Sequence, residues 1–404
     1  MLQQTWEQRK LIYIFNDFIV PMRDKPKVFS GTTPWTRIED IEGRYINTSL
    51  SGQFVSDETI KSMNLKVIPK GSLIVSASAT FGVVAIVNND LITNQTFIGL
   101  VPNKDFDIDF LYSLFEAPTT KNKLLKLSAG STIFYIARES FENLVLSVPS
   151  KVEQIKISKI FKSIDNSITL HQRKLEKLKL AKRALLQKLF PKNGSKFPEL
   201  RFEGFTDAWE QRKLGDLIFL NGRIGFRGYT EADIVSKDEG GVLTFSPTNI
   251  VDNQITIKCK NTYITRLKYD ESPEIKVYNG DILFVKTGST LGKSALVKDV
   301  FEDATLNPQV VVMRPNNLDS EFLSVMMLTD NIASQVRKSR IGGAVPTLTE
   351  SNIKAFDTLI PQNDEEAQKI GKIFGSLDHV ITLHQRKLDK LQEVKKGLLQ
   401  KMFV

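Results

Sequence analysis

A glycine-rich stretch near residue 290 is the part of the sequence that comes closest to a known ligand-binding motif. It reads Gly-Ser-Thr-Leu-Gly-Lys-Ser over residues 288–294. A phosphate-binding P-loop has four residues between its glycines, whereas this stretch has three. Residue 287 is a threonine, so no shifted alignment restores the motif. The stretch therefore predicts a tight turn that holds Lys293, either beside a nucleic-acid phosphate or as a plain connection between strands.

Few other residues have the chemistry of a catalytic or metal-binding site. Glu274 and Lys276 have the spacing of a nuclease carboxylate–lysine pair, but no acidic strand accompanies them. Asn307-Pro-Gln does not complete an adenine-methyltransferase motif. Zinc sites need clusters of cysteine and histidine, and the sequence has only Cys259, His171, His379 and His384. We therefore expect no catalytic residue, no metal site and no cofactor bound by this chain.

Length and composition favour two globular domains. The 404 residues are too many for one ordinary hydrophobic core, and a hydrophobic content of 41% is enough for each half to bury a core of its own. A single cysteine excludes an intrachain disulfide and favours a reducing compartment, the cytoplasm. The uncharged run over 71–89 could imitate a membrane span, but its counterpart in the second half carries Asp281, Lys286 and Lys293. Buried strands are therefore predicted there.

The excess positive charge is concentrated in two segments. The chain has 55 Lys and Arg against 46 Asp and Glu, a net charge of +9, which favours an anionic partner, nucleic acid first. Residues 170–192 hold eight Lys and Arg against one Glu, and residues 384–404 hold six against two acids. These segments are either the solvated outer faces of helices or a surface that faces DNA or partner proteins.

The chain consists of two copies of one unit. Thr-Leu-His-Gln-Arg-Lys-Leu occurs at 169–175 and again at 382–388, and Trp-Glu-Gln-Arg-Lys-Leu occurs at 6–11 and again at 209–214. The offsets are 213 and 203 residues, so the copies differ by an insertion of about ten residues. Between these anchors only the pattern matches, which is typical of a common scaffold that carries two different recognition modules.

Each copy ends in a predicted long amphipathic helix. Its apolar residues recur every three or four positions without an interrupting proline, as in a coiled-coil seam. We expect the two helices to pair antiparallel as a rod of roughly 55–60 Å, with a module at each end and with His171 packed against His384. The seam is predicted to consist of Ile157, Ile160, Ile164, Ile168, Leu175, Leu178, Leu185 and Leu189, and of Ile370, Ile373, Leu377, Ile381, Leu388, Leu391, Leu398 and Met402.

The modules are predicted to be mixed α/β. The fold class is therefore α/β, with two pseudo-symmetric α+β domains separated by a pair of long antiparallel coiled-coil helices. The predicted boundaries are 1–150 for module 1, 151–191 for the central helix, 192–208 for a linker, 209–362 for module 2 and 363–404 for the C-terminal helix. Strands are predicted at 73–75, 83–87, 97–101, 255–257, 282–285 and 310–313, and short helices at 110–115 and 321–328.

Several motifs carry a family resemblance that covers nearly the whole chain. They are Phe-Pro-Glu-Leu-Arg-Phe-Glu-Gly-Phe at 197–205, Trp-Glu-Gln-Arg-Lys-Leu-Gly-Asp-Leu at 209–217, the segment 280–293, and the helices with Leu-His-Gln-Arg-Lys-Leu. The chain resembles the specificity subunits of type I restriction–modification systems. Module 1 departs from the pattern, because it lacks Gly-Asp-Leu after Leu11 and the Pro-Thr-Leu-Thr found at 346–349.

The resemblance implies a function without catalysis. It implies two target recognition domains, each of which reads one half of a split site in double-stranded DNA. It also implies that the helices set the spacer and dock two methyltransferase subunits, and that restriction subunits join them. S-adenosylmethionine, ATP and Mg²⁺ would then be bound by the partner subunits.

Arginine, lysine and small polar residues in the modules are the candidates for DNA contacts. In module 2 the predicted contacts are Lys286, Thr287, Ser289, Thr290 and Lys293 in the turn, and Arg337, Lys338 and Arg340 in a basic run. In module 1 they are Ser76, Ser78 and Thr80 in the matching turn, with Lys123, Lys126 and Arg138 behind it.

Two other classes of protein remain as alternatives. A coiled-coil assembly adaptor would bind proteins without salt-sensitive DNA binding. A nuclease or methyltransferase in its own right would show metal- or cofactor-dependent turnover as an isolated chain.

Overall fold

The structure, a computed structural model, describes residues 6–22, 24–76, 82–128, 136–192 and 194–403. The side chain of residue 226 is not included. The chain divides into two compact units. Unit 1 consists of Met1–Leu175 and His384–Val404, and unit 2 consists of Glu176–Leu383. Each unit therefore contains one module and a part of each long helix.

Unit 1 contains a mixed sheet with helices on it. The strands of module 1 are β1 (Glu7–Lys10), β2 (Phe15–Ile19), β3 (Thr33–Thr36), β4 (Ile41–Glu42), β5 (Tyr45–Ile46), β6 (Phe54–Val55), β7 (Leu73–Ser76), β8 (Val84–Val87), β9 (Ile92–Thr93), β10 (Phe97–Pro102) and β11 (Val145–Val148). The helices are α1 (Leu11–Ile14), α2 (Asp57–Ser62), α3 (Ile108–Glu116), α4 (Pro118–Leu127), α5 (Arg138–Glu142) and the long α6 (Lys151–Leu189).

Module 2 repeats this arrangement within unit 2. Its strands are β12 (Glu210–Lys213), β13 (Ile218–Gly222), β14 (Val242–Phe245), β15 (Ile250–Val251), β16 (Gln254–Ile255), β17 (Thr262–Ile264), β18 (Ile282–Val285), β19 (Ser294–Leu296), β20 (Ala304–Leu306), β21 (Val310–Pro315) and β22 (Asp357–Ile360). The helices are α7 (Leu214–Leu217), α8 (Arg266–Asp270), α9 (Ser320–Met326), α10 (Asp330–Ser339), α11 (Glu350–Lys354) and the long α12 (Asp364–Met402).

The six-stranded sheets of the two modules have the same strand order. In the described residues the order is β2-β10-β7-β8-β5-β4 in module 1 and β13-β21-β18-β19-β16-β15 in module 2. The repeat therefore extends into the module interiors, where the sequences match only in pattern. The prediction of mixed α/β modules is confirmed.

The apolar runs are buried strands because both faces of each sheet are covered. In β18, Ile282 and Phe284 pack in one core while Leu283 and Val285 pack in another. β7 alternates in the same way between two cores. A strand with two buried faces is continuously apolar, which explains the apolar residues of β7 and β8 within the run over 71–89. None of the helices in the described part of the chain is both long and apolar enough to span a bilayer.

One predicted strand is shorter than expected. The sequence predicts a strand over 255–257, but β16 ends at Ile255. Asn249 accounts for the early end, because its side chain donates a hydrogen bond to the carbonyl oxygen of Thr256 at 3.0 Å. That bond occupies an acceptor that a longer ladder would use.

The two long helices run antiparallel within each unit. In unit 1, Asp165 of α6 pairs with Lys395 of α12, and His171 of α6 contacts His384 of α12. Residue numbers therefore increase along α6 while those of its contacts on α12 decrease. In unit 2, Lys182 of α6 pairs with Asp378 of α12 at 2.5 Å. Asp165 and Asp378 are repeat equivalents, as are Lys182 and Lys395. One pair of helix residues therefore forms the same ion pair in both units.

The burial of the predicted seam is uneven. Ile157, Leu175 and Leu388 are buried, whereas Leu178, Leu185, Leu391 and Leu398 are partly buried. Ile160 is 46% exposed, so its assignment to the seam is wrong. A buried Phe161 follows it and provides the core contact. A straight helix makes one turn every 3.6 residues, whereas apolar residues spaced alternately by three and four repeat every 3.5 residues. Over the 39 residues of α6, positions chosen by that spacing therefore drift off the buried face.

Each module packs an aromatic cluster against a long helix. In unit 1 the rings of Trp6, Phe110 and Phe403 lie within 6.0 Å of one another, centroid to centroid. In unit 2 the equivalent rings of Phe190, Trp209 and Phe322 do the same. The repeated tryptophan in Trp-Glu-Gln-Arg-Lys-Leu therefore belongs to the core in module 2, where Trp209 is buried, and packs partly buried against the core in module 1.

The packing of His171 against His384 makes helix pairing in unit 1 sensitive to pH. Their Nδ1 atoms are 2.8 Å apart, so one ring must donate and the other must accept. Burial, and then the charge of Lys174, lower the pKa of His384 below its ordinary value. The unfolded chain therefore binds more protons than the folded chain just below pH 6.5. We expect the melting temperature to fall as the pH falls through this window.

The measurement is a series of thermal melts between pH 8 and pH 5 on the wild type and His384→Gln. We expect the melting temperature of the variant to depend less strongly on pH than that of the wild type between pH 6.5 and 5. An identical slope in both proteins would show that the pair does not titrate on unfolding.

Candidate nucleic-acid interface

The glycine-rich stretch forms the turn between β18 and β19. Backbone hydrogen bonds from Gly292 N to Val285 O at 2.9 Å and from Val285 N to Lys293 O at 2.8 Å close it. Gly292 has a φ of +89°, and a Cβ there would lie 3.1 Å from Val336 of α10. Glycine is needed both for the backbone conformation and for this close approach. A strand follows the turn, so the helix N-terminus of a P-loop is missing.

A second loop, residues 340–348, packs against this turn. Leu348 N donates to Lys286 O at 2.8 Å, and Gly288 N donates to Pro346 O at 2.9 Å. Ile341 and Thr347 bond to each other through their backbones and narrow the loop to a hairpin. The sequence predicted two separate candidate segments in module 2, and the structure brings them together. We call the turn 286–293, the loop 340–348 and the end of α10 the module 2 edge.

Exposed cations lie on the module 2 edge. Lys293, Arg337, Lys338 and Arg340 are exposed, and within the described ranges none of them forms an ion pair. Arg337 and Lys338 lie in the last turn of α10, where the helix dipole favours positive charge. Ser289 is also exposed, and Thr290 is partly buried.

Two of the predicted contact residues hold the edge together. Lys286 is partly buried and pairs with Glu350 of α11 at 3.3 Å. The hydroxyl of Thr287 bonds to the hydroxyl of Thr347. The side chains of Lys286 and Thr287 therefore bond to groups inside the module. Among the described residues of the edge, Lys293, Arg337, Lys338 and Arg340 remain as cations without an ion pair.

Sequence reasoning missed two polar residues at the same edge. Gln309, just before β21, is exposed, and its backbone carbonyl oxygen accepts a hydrogen bond from Lys286 N at 2.8 Å. Arg223, just after β13, is buried and donates to Leu306 O at 2.9 Å and to Thr305 Oγ1 at 3.1 Å. Burial lowers the pKa of the Arg223 guanidinium. Gln309 and Arg223 lie at the same edge because β13 and β21 are neighbours in the sheet. The order of strands cannot be read from one polar residue next to one strand.

The candidates in module 1 are only partly described. Ser78 and Thr80 lie outside the described residues, and Ser76 is buried at the end of β7. Lys123 donates to Val145 O at 3.1 Å, and Arg138 pairs with Glu142 at 2.6 Å. Lys126 is exposed on α4. The exposed residues here are therefore on helices beside the sheet.

The two modules match a known protein family. The family model described as the type I restriction modification DNA specificity domain matches residues 5–180 and 206–393. Two specificity subunits of type I restriction enzymes from Methanocaldococcus jannaschii, MjaIX and MjaVIII, are 25% and 21% identical to this chain. The alignments cover 93% and 94% of this chain, and 86% and 90% of those proteins.

Solved structures share the fold. The crystal structure of a type I restriction–modification S subunit from M. genitalium superposes with a TM-score of 0.69 at 15% identity. It covers 100% of this chain and 98% of that one. A structure from a study of complex assembly and conformational transition in a type I system has a TM-score of 0.53 at 16% identity, over 99% and 97% of the two chains.

Proposed function

The chain belongs to the type I restriction–modification DNA specificity family, and we propose that each of its modules binds one half of a divided site in double-stranded DNA. The family establishes the role in DNA sequence specificity. The division of the site is suggested by the repeat, because the two modules have the same strand order but sequences that match only in pattern between the repeated anchors. Two unlike recognition surfaces favour two unlike half-sites.

The observation that carries the proposal is the module 2 edge. It combines the exposed cations Lys293, Arg337, Lys338 and Arg340 with the exposed amide of Gln309. Lysine and arginine bind phosphates or guanine, and glutamine pairs with adenine. The edge therefore supplies both positioning charge and a group that can discriminate bases.

We further propose that the long helices dock two methyltransferase subunits, to which restriction subunits are added. Leu170 and its repeat equivalent Leu383 are 66% and 49% exposed on α6 and α12, and Leu180 is 61% exposed. Large apolar residues exposed on the outer face of a charged helix are typical of a protein interface. S-adenosylmethionine, ATP and Mg²⁺ would then be bound by those subunits in the cytoplasm, where the DNA lies.

Mapping of methylated adenines tests the proposal. The chain is co-expressed with the methyltransferase subunit encoded beside it, and modified positions are mapped across the host DNA. We expect one motif with two short, unlike halves around a fixed gap. Replacement of residues 1–150 by the corresponding module of a relative should change only one half. Methylation without a divided motif, or a stable complex without methylation, would favour the assembly-adaptor alternative.

A further inference from the structure

The loop of the module 2 edge has an apolar tip that faces solvent. Residues 341–346 read Ile-Gly-Gly-Ala-Val-Pro, six residues without one polar side chain. Ile341 and Val345 are 55% and 63% exposed, and residues 342–344 between them are exposed as well. Loop tips on a protein surface are ordinarily polar, so a continuous run of exposed apolar residues indicates a binding function. We call residues 341–345 the apolar tip.

Hydrogen bonds hold the apolar tip in place from both sides. Ile341 and Thr347 exchange two backbone bonds of 2.8 Å at its base. The hydroxyl of Thr347 also donates to Lys286 O at 3.2 Å. On the other side, the side-chain amide of Asn352 donates to Ser339 O at 3.0 Å, where α10 ends. Because the tip is already ordered, little conformational entropy is lost when a partner binds it.

Glycine gives the apolar tip its narrow shape. Gly342 has a φ of +90°, a conformation that favours glycine, and a Cβ there would lie 3.0 Å from Val345 O. A Cβ at Gly343 would meet no atom of the described residues within 4 Å. The tip therefore presents the side chains of Ile341, Ala344 and Val345, with open space beside Gly343.

Positive charge flanks the apolar tip. Arg340 directly precedes it, and Arg337 and Lys338 lie in the last turn of α10. Lys293 lies in the turn against which the loop packs. All four side chains are exposed, and none of them pairs with an acidic group in the described ranges. The complementary partner is therefore anionic and offers an apolar group between its charges.

We propose that the apolar tip contacts the methyl group of a thymine in the major groove, at one position of the half-site that module 2 binds. The inference rests on the proposed function of module 2, and it names one base of the half-site. Thymine is the base that presents an apolar group in the major groove, between the two rows of phosphates. That groove is about 12 Å wide and admits a two-stranded hairpin, whereas the minor groove is about 6 Å wide. Ile341 and Val345 thus determine specificity at this position, and the cations position the DNA.

Deoxyuridine tests the contact, because it differs from thymidine only by the absence of the C5 methyl group. Binding of the assembled complex is measured on duplexes that carry the motif found by methylation mapping. The module 2 half-site is the half that replacement of residues 1–150 leaves unchanged, and each of its thymines is replaced in turn. We expect at least one replacement to weaken the affinity roughly 4-fold, the value of one buried methyl group.

The double variant Ile341→Ala with Val345→Ala assigns that methyl group to the apolar tip. Both side chains are exposed, so the melting temperature should stay at that of the wild type. The variant should bind the thymine duplex roughly 10-fold more weakly, because apolar contact area is lost. It should also bind the thymine and deoxyuridine duplexes equally well at the same position, since the two changes remove one interaction.

Ile257→Ala is the matched control. Ile257 is 59% exposed and lies beyond the far end of β19, because β16 pairs parallel with β19 there. This variant should keep both the affinity of the wild type and its preference for thymine over deoxyuridine. Loss of the preference in Ile257→Ala as well would contradict a contact at the apolar tip.

The possible failures separate this proposal from the proposed function. Specific binding to the divided motif without any effect of a thymine methyl group would overturn the proposal and leave the proposed function standing. The same holds if the double variant keeps the thymine preference, or if 2-aminopurine beside that position brightens without a methyl effect, since the tip would then separate stacked bases. A double variant that binds DNA normally but no longer binds vesicles of anionic lipid would assign the tip to a membrane surface instead. Absence of sequence-specific binding by the wild-type complex would contradict the proposed function itself.

Discussion

Replacing Asp165 with asparagine should lower the free energy of unfolding of unit 1 by about 3 kcal/mol, the lower end of the range for breaking a buried ion pair. The side chain of Asp165 is 9% exposed and pairs with Arg44 of module 1 and with Lys395 of α12, both at 2.6 Å. Asparagine keeps the shape and removes the charge. The buried Arg44 and the partly buried Lys395 then each lose a counter-ion at the point where module 1 and both long helices meet.

The surroundings of Asp165 determine the cost of its substitution. Arg44 also pairs with Asp109 at 3.0 Å and lies over the ring of Tyr112. Burial, followed by the charges of Glu116 and Asp165, raises the pKa of the Tyr112 hydroxyl well above its ordinary value. The cluster is therefore poorly hydrated, and the charge of one member cannot be replaced by water.

Asp378→Asn provides the matched control. Asp378 occupies the same position in the second copy of the helix, pairs with Lys182, and is 36% exposed. Exposed pairs contribute at most about 1 kcal/mol, so this variant should be near wild type. Native-state hydrogen exchange measures the opening free energy of unit 1 from amides in α3 for Asp165→Asn, and that of unit 2 from amides in the equivalent α9 for Asp378→Asn. Equal losses for the two variants would show that burial of the cluster does not set its energy.

The double variant Lys293→Ala with Arg340→Ala should reduce the affinity of the assembled complex for its DNA site by roughly 10- to 1000-fold at moderate salt. Both cations are exposed on the module 2 edge, and neither pairs with an acidic group in the part of the chain that the structure describes. Neither side chain supports the fold, so the loss should come from DNA contacts. Lys293 and Arg340 also lie on the two segments that the structure brings together.

The control is Lys298→Ala, which removes one positive charge just beyond the other end of β19. Lys298 pairs with Glu321 at 2.5 Å, and we expect DNA affinity close to wild type. Measurement of affinity against salt separates the roles. A phosphate contact lowers the salt slope by about one per cation for every sequence, whereas a base contact relaxes preference at one position. Unchanged affinity in the double variant would place the DNA surface elsewhere.

The sequence predicted those features that repeat along the chain. The duplicated heptapeptides located both long helices and the pairing of His171 with His384, because the apolar spacing is local and occurs twice. The central strands of each sheet were also predictable, since burial on both faces makes Leu73–Ser76 and Ile282–Val285 continuously apolar. Mixed α/β modules follow from these runs and from the short helices between them.

Side-chain partners distant in the sequence could not be predicted. Arg44 and Asp165 are separated by 121 residues, and Arg201 and Glu366 by 165. A single long-range pair leaves no periodicity, so its members look like ordinary surface charges. The same reason explains why Lys286 was predicted to contact DNA although Glu350 pairs with it. The repeat offers one signal that could have helped. Both copies have a glutamate at the equivalent positions Glu153 and Glu366, which indicates that the two side chains could have equivalent partners.

The core of unit 1 has a consequence for the order of folding during synthesis. Leu399 and Phe403 complete that core, and Thr119 donates a hydrogen bond to the carbonyl oxygen of Phe403 at 2.9 Å. Module 1 is translated first and its last strand ends at Val148, yet Phe403, which completes its core, is synthesised about 255 residues later. Unit 2, by contrast, is one continuous stretch. Domains fold as their residues emerge. Module 2 can therefore reach its final packing before module 1, which must persist as an incomplete nascent domain, exposed to chaperones and proteases, until residues 399–403 have been synthesised.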